Sequence, residues 1–208
     1  MYFNFKYFDF KTAIKLPFII ANKVSLFVMD GSISLECTPR FGLVKFGVSS
    51  IGTVDRKYER TVWEVNGKLT VHGEASIGAG SRISIDETGE LEIGNNFTIS
   101  GRTTINANQH ITFGQDCMLS WDIMLMDTDY HKIYDAQGKR INIPKPIRIG
   151  NHVWIGSRAV ILKGVSISDN VVVAANSTIT KNVEQCNCII GGFGSQVKVL
   201  KQDINWER

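Results

Sequence analysis

A six-residue period constrains this chain more than any other feature. From Ile149, steps of six land on Ile155, Ile161, Ile167, Val173 and Ile179. Ile, Leu and Val make up 52 of the 208 residues, so six such hits in register would arise by chance about once in four thousand starting points. Four residues further on, Val153, Ala159, Val165, Val171, Ser177 and Val183 are again small or aliphatic, and Gly150, Gly156, Ser168, Ala174 and Thr180 follow the lattice positions. Upstream the lattice runs through Ile93, Ile99, Ile105 and Ile111, slips by two residues, and continues at Phe113, Leu119 and Leu125. Ile77 and Ile83 begin it less regularly. Between Leu125 and Ile149 the pattern gives way to a polar, charged stretch with Pro144 and Pro146.

Six fits neither a helix of 3.6 residues per turn nor simple strand alternation, but it is a multiple of two. The apolar positions therefore share one face of extended chain, and the small residues between them suit tight corners. Short strands joined by such corners wind into a three-sided prism, three hexads to a coil, with aliphatics inside and each coil bonded to its neighbours. The spacing predicts an all-β solenoid over residues 71–190, with an excursion at about 127–146. Residues 1–70 carry strand-like runs with glycine breaks (Val24 to Met29, Ile33 to Glu36, Leu43 to Val48) and are assigned as a strand-rich cap over the first coil. Residues 191–208 form a terminal segment with a short helix.

Composition narrows the function. A net charge of +3 spread along the chain argues against nucleic acid as the main partner, and 43% hydrophobic with 21% charged residues excludes wholesale disorder. Cys37, Cys117, Cys186 and Cys188 form neither a disulfide framework nor a zinc site in a chain of this length, so they read as reduced thiols of a cytoplasmic protein. The most apolar run, Leu16 to Asn22 between Lys15 and Lys23, is too short to span a bilayer. The opening Met1 to Lys11 alternates aromatic and polar residues, which suits packing on the chain's own domain, on a partner subunit, or peripherally on a membrane.

The run Val153-Trp154-Ile155-Gly156-Ser157-Arg158-Ala159-Val160-Ile161-Leu162-Lys163-Gly164-Val165 resembles the signature of the hexapeptide-repeat acyltransferases, nearest to the maltose, galactoside and polysaccharide O-acetyltransferases. The resemblance runs from about Ile77 to the C-terminus. It implies a left-handed parallel β-helix, a homotrimer with active sites between prisms, acetyl-coenzyme A as donor, and no metal. It also implies a histidine general base at the start of the excursion, and His131 in Asp127-Thr128-Asp129-Tyr130-His131 matches that position. A sugar hydroxyl needs such a base because it is a poor nucleophile at neutral pH. Asp127 and Asp129 would orient the imidazole or hold the acceptor, or else simply form a turn. His110, His131 and His152 recur every 21 residues, which is not a multiple of six, so they do not repeat one lattice position; with no H-x-x-x-x-H pair in the chain, this counts against a three-histidine metal site.

For the donor, the resemblance places Trp154 and Ser157 along the thioester and pantetheine arm, and Ala175, Thr180 and Lys181 in later coil contacts. The end of the chain, Gly194-Ser195-Gln196-Val197-Lys198-Val199-Leu200-Lys201, fits the family's terminal G-x-P-A-(K/R)-V-I-(K/R) frame, with Gln196 and Val197 replacing proline and alanine. Lys198 and Lys201 keep the basic positions that meet nucleotide phosphates. Asn106 matches an acceptor-side asparagine, and Trp121, Tyr130 and Tyr134 offer aromatic faces to a sugar. The family's acidic pair after that asparagine is replaced by Ala107-Asn108-Gln109-His110, which points away from galactoside or maltose; with the long atypical N-terminal region, analogy favours a sugar of a surface polysaccharide. An N-acetyltransferase of an amino sugar or other amine, and a non-catalytic solenoid, are the alternatives.

Overall fold

Three hexads make eighteen residues, and eighteen is the step between stacked strands in the upper half of the molecule. The computed structural model, which describes residues 1–208, pairs Ile155 with Val173, Ile161 with Ile179 and Ile149 with Ile167. Below the slip the step is twenty: Ile99 pairs with Leu119 and Ile105 with Leu125. Lattice side chains thus stack in columns, and Ile99, Ile105, Leu119, Leu125, Ile155, Ile161 and Ile179 are wholly buried.

Every third strand joins the same wall up to Val171–Val173, and Cys188–Gly191, the second strand after it, extends the first wall. The first wall holds Phe18–Ile20, Val44–Phe46, Ala75–Ile77, Phe97–Gly101, Met118–Trp121, Trp154–Ile155, Val171–Val173 and Cys188–Gly191. The second holds Val24–Met29, Thr61–Val65, Arg82–Ile85, Thr104–Ala107, Met124–Met126, Val160–Leu162 and Thr178–Ile179. The third holds Ser32–Leu35, Lys68–Val71, Glu90–Ile93, His110–Phe113, Ile147–Ile149 and Ser166–Ile167. Within each wall these strands run parallel, so the chain winds as a parallel β-helix, of the left-handed class that the resemblance implies. Corners are tight. At the corner between the second and third walls, a Cβ on Gly31 would lie 2.1 Å from the Gly67 carbonyl oxygen, and one on Gly67 2.1 Å from that of Gly89. Only glycine lets the coils approach so closely.

Residues 18–71 correct the expected division at residue 70. They are the first two coils of the prism, and one continuous buried cluster reaches from Phe3 to Ile190. Their period is hidden because Phe18 pairs with Val44 and Val44 with Ala75, steps of 26 and 31 residues. Aromatic side chains, Phe18, Phe46 and Trp63, also fill the core there in place of the aliphatics. The cap itself is helical and shorter: Tyr2–Tyr7 and Phe10–Ala13 close the lower end. Asn4 donates through Nδ2 to the Phe18 carbonyl and accepts from the Phe18 N–H, both at 2.9 Å. Its side-chain amide thereby takes the place of a neighbouring strand on an edge that would otherwise be bare. Phe3 packs edge-on to Trp63 at 5.0 Å, and the Trp63 indole donates to the Tyr7 hydroxyl at 2.9 Å.

The terminal helix suggested by the sequence is a single 3-10 turn, Gly194–Gln196. Lys198 and Lys201 lie instead in a strand, Lys198–Gln202, antiparallel to Cys188–Gly191. The open edge of the last first-wall strand supplies the partner that selects strand over helix. Beyond it the chain straps back down the first wall. Trp206 stacks on His152 at 4.2 Å and donates to its carbonyl at 3.0 Å, and Arg208 donates to Thr98 Oγ1 and the Cys117 carbonyl, both at 2.9 Å. No helix is long and apolar enough to cross a membrane. The four cysteines are unpaired.

Candidate active site

The excursion leaves the prism at the corner after Met124–Met126, between the second and third walls, and returns at Ile147. Asp127 roots it. Its carboxylate is buried and accepts from the backbone N–H groups of Asn108, Gln109 and His110 at 2.8, 2.9 and 2.8 Å. Burial pushes the Asp127 carboxyl pKa up, against the three N–H donors that pull it down. Both oxygens are committed to the coil below, so Asp127 neither orients His131 nor reaches an acceptor. Asp129 is held as well: it pairs with Lys163 and accepts from Asn142 Nδ2 at 2.8 Å. The lysine holds its carboxyl below the usual value. Neither carboxylate bonds the imidazole, because each already has stronger, closer partners.

Asn142, unnoticed in the sequence, organises the loop. It is buried, donates to the His131 carbonyl at 2.6 Å and accepts from the Ile133 N–H at 2.7 Å. The backbone of His131 is thereby fixed at both sides, while its side chain is exposed to solvent. The hydrogen bonds of His131 run through its backbone, which leaves the ring free to meet a substrate. The only signal for Asn142 in the sequence was its place in the interruption of the repeat.

The candidate donor residues gather at a different edge, the corner between the first and second walls. Gly156 and Ser157 turn this corner directly beneath Ala174 and Ala175; a Cβ on Gly156 would lie 2.8 Å from the Ala175 nitrogen. The Asn176 N–H donates to the Ser157 carbonyl at 2.9 Å. Above them a groove of about 610 Å³ is lined by Ala175, Ser177, Gly192, Phe193, Gln196 and Lys198, among others. Thr180 lies beside it, its hydroxyl 3.8 Å from where a Gly194 Cβ would point. Lys181 is exposed beyond the second-wall strand, past the groove. Lys201 pairs with Ile189, three residues along the strand from Lys198, so the two lysines do not share the groove. Trp154 faces outward on the first wall, donates to Ser120 Oγ at 3.0 Å, and is flanked by Trp206 at 5.9 Å. The tail therefore covers part of the surface that the resemblance gives to the donor, a contact no repeat pattern signals.

Asn106 stands outward on the second wall, between Ser84 below and Met126 above. Tyr130 is half-exposed beside it, its hydroxyl pKa raised by burial and by Asp86, Glu64 and Asp127. Trp121 belongs to the first-wall side, at the corner with Ser157. Lower on that corner lies a cleft of about 340 Å³ lined by Lys23, Arg56, Lys57, Glu59 and Thr61. Glu59 pairs with Arg102 at 3.7 Å, so the cleft presents mainly positive charge. No group of three His, Cys, Asp or Glu side chains is gathered for a metal ion.

The profile described as the hexapeptide repeat of succinyl-transferase matches residues 146–181. A polysialic acid O-acetyltransferase of Escherichia coli O1:K1 is 36% identical over 123 residues, 55% of this chain and 39% of that protein. The galactoside O-acetyltransferase of Escherichia coli K12 is 34% identical over 107 residues, 51% of this chain and 52% of that one. The crystal structure of the polySia-specific acetyltransferase NeuO superposes with a TM-score of 0.64 at 25% identity, covering 92% of this chain and 76% of that one. This chain carries the hexapeptide repeat and is similar to hexapeptide-repeat acetyltransferases. It spans about half or less of the length of these two curated relatives.

Within this hexapeptide-repeat protein the histidine and the candidate donor groove occupy opposite ends of the second-wall strands. Ser157 turns the corner before the strand Val160–Leu162, and Lys163, which pairs with Asp129 of the excursion, stands at the corner after it. One protomer does not bring His131 against its own groove.

Proposed function

We propose that this chain is an acetyl-coenzyme A-dependent O-acetyltransferase of a sugar hydroxyl, acting as a homotrimer with His131 as general base. The observation that carries the reading is the separation just described. Two half-sites lie on two edges of one prism, and a neighbour's edge completes each of them. The thioester arm would lie along Ser157 and Ala175, and Lys198 would meet a phosphate as a point charge. The imidazole takes the proton of the attacking hydroxyl, the oxygen bonds to the acetyl carbon, and the carbon–sulfur bond breaks. The imidazolium then returns the proton to the departing thiolate. Asn142 and the Asp129–Lys163 pair hold the loop that presents the ring.

The acceptor is read as an anionic polysaccharide. The cleft with Lys23, Arg56 and Lys57 supports this, as does similarity to proteins named for polysialic acid. The test compares wild type with His131→Ala, following released thiol with polysaccharide and amine acceptors. Turnover should fall about 10² to 10⁴-fold with the melting temperature unchanged, because the ring is exposed and no cavity forms. Retained turnover within a few-fold removes His131 from the mechanism. Faster transfer to amines reassigns the reaction, and a monomer mass by light scattering removes the shared site.

A further inference from the structure

The helical cap has two unlike sides. Phe3, Asn4 and Ala13, with half-buried Tyr7 and Phe8, close the core. The opposite side turns Tyr2, Phe5, Phe10 and Ile14 to solvent, with exposures of 71%, 41%, 72% and 54%. The rings of Phe5 and Phe10 lie 6.1 Å apart, so the two helices share one apolar patch. Lys6, Lys11 and Lys15 are exposed in the same segment. The single acid among residues 1–15, Asp9, has its carboxylate engaged by the N–H and hydroxyl of Thr12 at 3.1 and 3.0 Å. Phe27 and Phe41, in and just after the first coil, are also exposed, so four of the five exposed phenylalanines belong to residues 1–41. An aromatic cluster of this kind at one end of a polar-faced prism marks a docking surface.

We propose that this end of the molecule docks on the surface of an anionic lipid bilayer. Aromatic rings with interleaved lysines suit the membrane interface, where the rings sit at headgroup depth and the ammonium groups meet lipid phosphates. The helices are far too short to span, so the cap lies on the surface. A second copy of the chain fits less well, because a twofold contact would set Lys6, Lys11 and Lys15 against the same lysines. The inference is independent of the acetyl-transfer reading, since the cap lies at the end of the prism away from the donor groove.

The test is co-sedimentation of the full chain with vesicles of phosphatidylcholine alone and of phosphatidylcholine mixed with phosphatidylglycerol. Wild type should bind the mixed vesicles, less so at high salt. A Lys6→Gln, Lys11→Gln, Lys15→Gln variant should lose about a hundredfold in partitioning, from about a factor of five for each lysine near an anionic surface. A Phe5→Ser, Phe10→Ser variant should lose at least tenfold while melting like wild type. Equal binding to both vesicle types, or binding unchanged in both variants, overturns the proposal. So does failure to bind vesicles together with self-association that the Phe5→Ser, Phe10→Ser variant abolishes, which assigns the face to a second copy.

Discussion

The strand Met124–Met126 and the excursion that follows it are neighbours in the chain but are held by different forces. The wall rests on repetition: Leu125 is stacked between Ile105 below and Ile161 above, all wholly buried, with parallel hydrogen bonds to both sides. Any one of these contacts resembles the next. The excursion has almost no buried aliphatic side chain. Its Ile133, Ile141 and Ile143 are exposed, and three polar anchors, Asp127, Asn142 and the Asp129–Lys163 pair, set its shape. The wall can therefore lose a contact and pay in stability alone, whereas the loop is specified by single residues that sit around His131.

This contrast can be broken or sharpened by substitution. Ile161→Ala should produce the largest loss of stability, about 2–5 kcal/mol, since it opens a cavity between Leu125 and Ile179 that the rigid coils cannot close. Ile133→Ala, the same change on the excursion, should stay within about 0.5 kcal/mol in the same urea titration. Similar costs for both would erase the distinction between wall and loop.

Asp127→Ala joins the two regions, because it leaves the N–H groups of Asn108, Gln109 and His110 without their acceptor. The expected cost is about 3 kcal/mol. Hydrogen exchange should quicken at those three amides while the Ile155 and Ile161 ladders stay protected; uniform quickening would make Asp127 part of the global fold instead.

The smallest effect concerns acid. The folded-state pKa of Asp129 is lowered, first by Lys163 and then by Asn142. Its contribution is therefore present above the ordinary carboxylate value of about 3.9 and is lost as pH falls through the lower folded value. Pepsin nicking of the 127–146 loop should rise only below that value, with the prism intact. Removing the cation in Lys163→Met should move the onset upward toward the ordinary value. An unmoved onset would mean that the ion pair does not hold the loop.

Much of the architecture was legible beforehand for a reason visible in particular residues. Ile149 to Ile179 repeat one environment six times, so the pattern declares itself without knowledge of neighbours. The first two coils were not legible, because steps of 26 and 31 residues and the aromatic fillers Phe46 and Trp63 break the period while the walls continue. The arrangement of the candidate site was legible in part. His131 stood out because it interrupts a lattice, and Ala175 and Lys198 do share a groove. Asp127 and Asp129 look alike in sequence yet differ in place, one buried under three backbone donors and the other paired with a lysine 34 residues away.

By itself the sequence determined the three-hexad coil, the buried columns and the position of the excursion, because each depends on spacing along the chain and on which side chains avoid water. Only the tertiary structure decided where the prism begins, that Lys198–Gln202 is a strand, that Trp206 stacks on His152 beside Trp154, and that His131 and the candidate donor groove lie on separate edges. Those outcomes depend on partners far away in the chain: an open wall edge, an exposed ring on another coil, the width of a strand. Residue type and spacing carry no record of such partners until the coils are stacked.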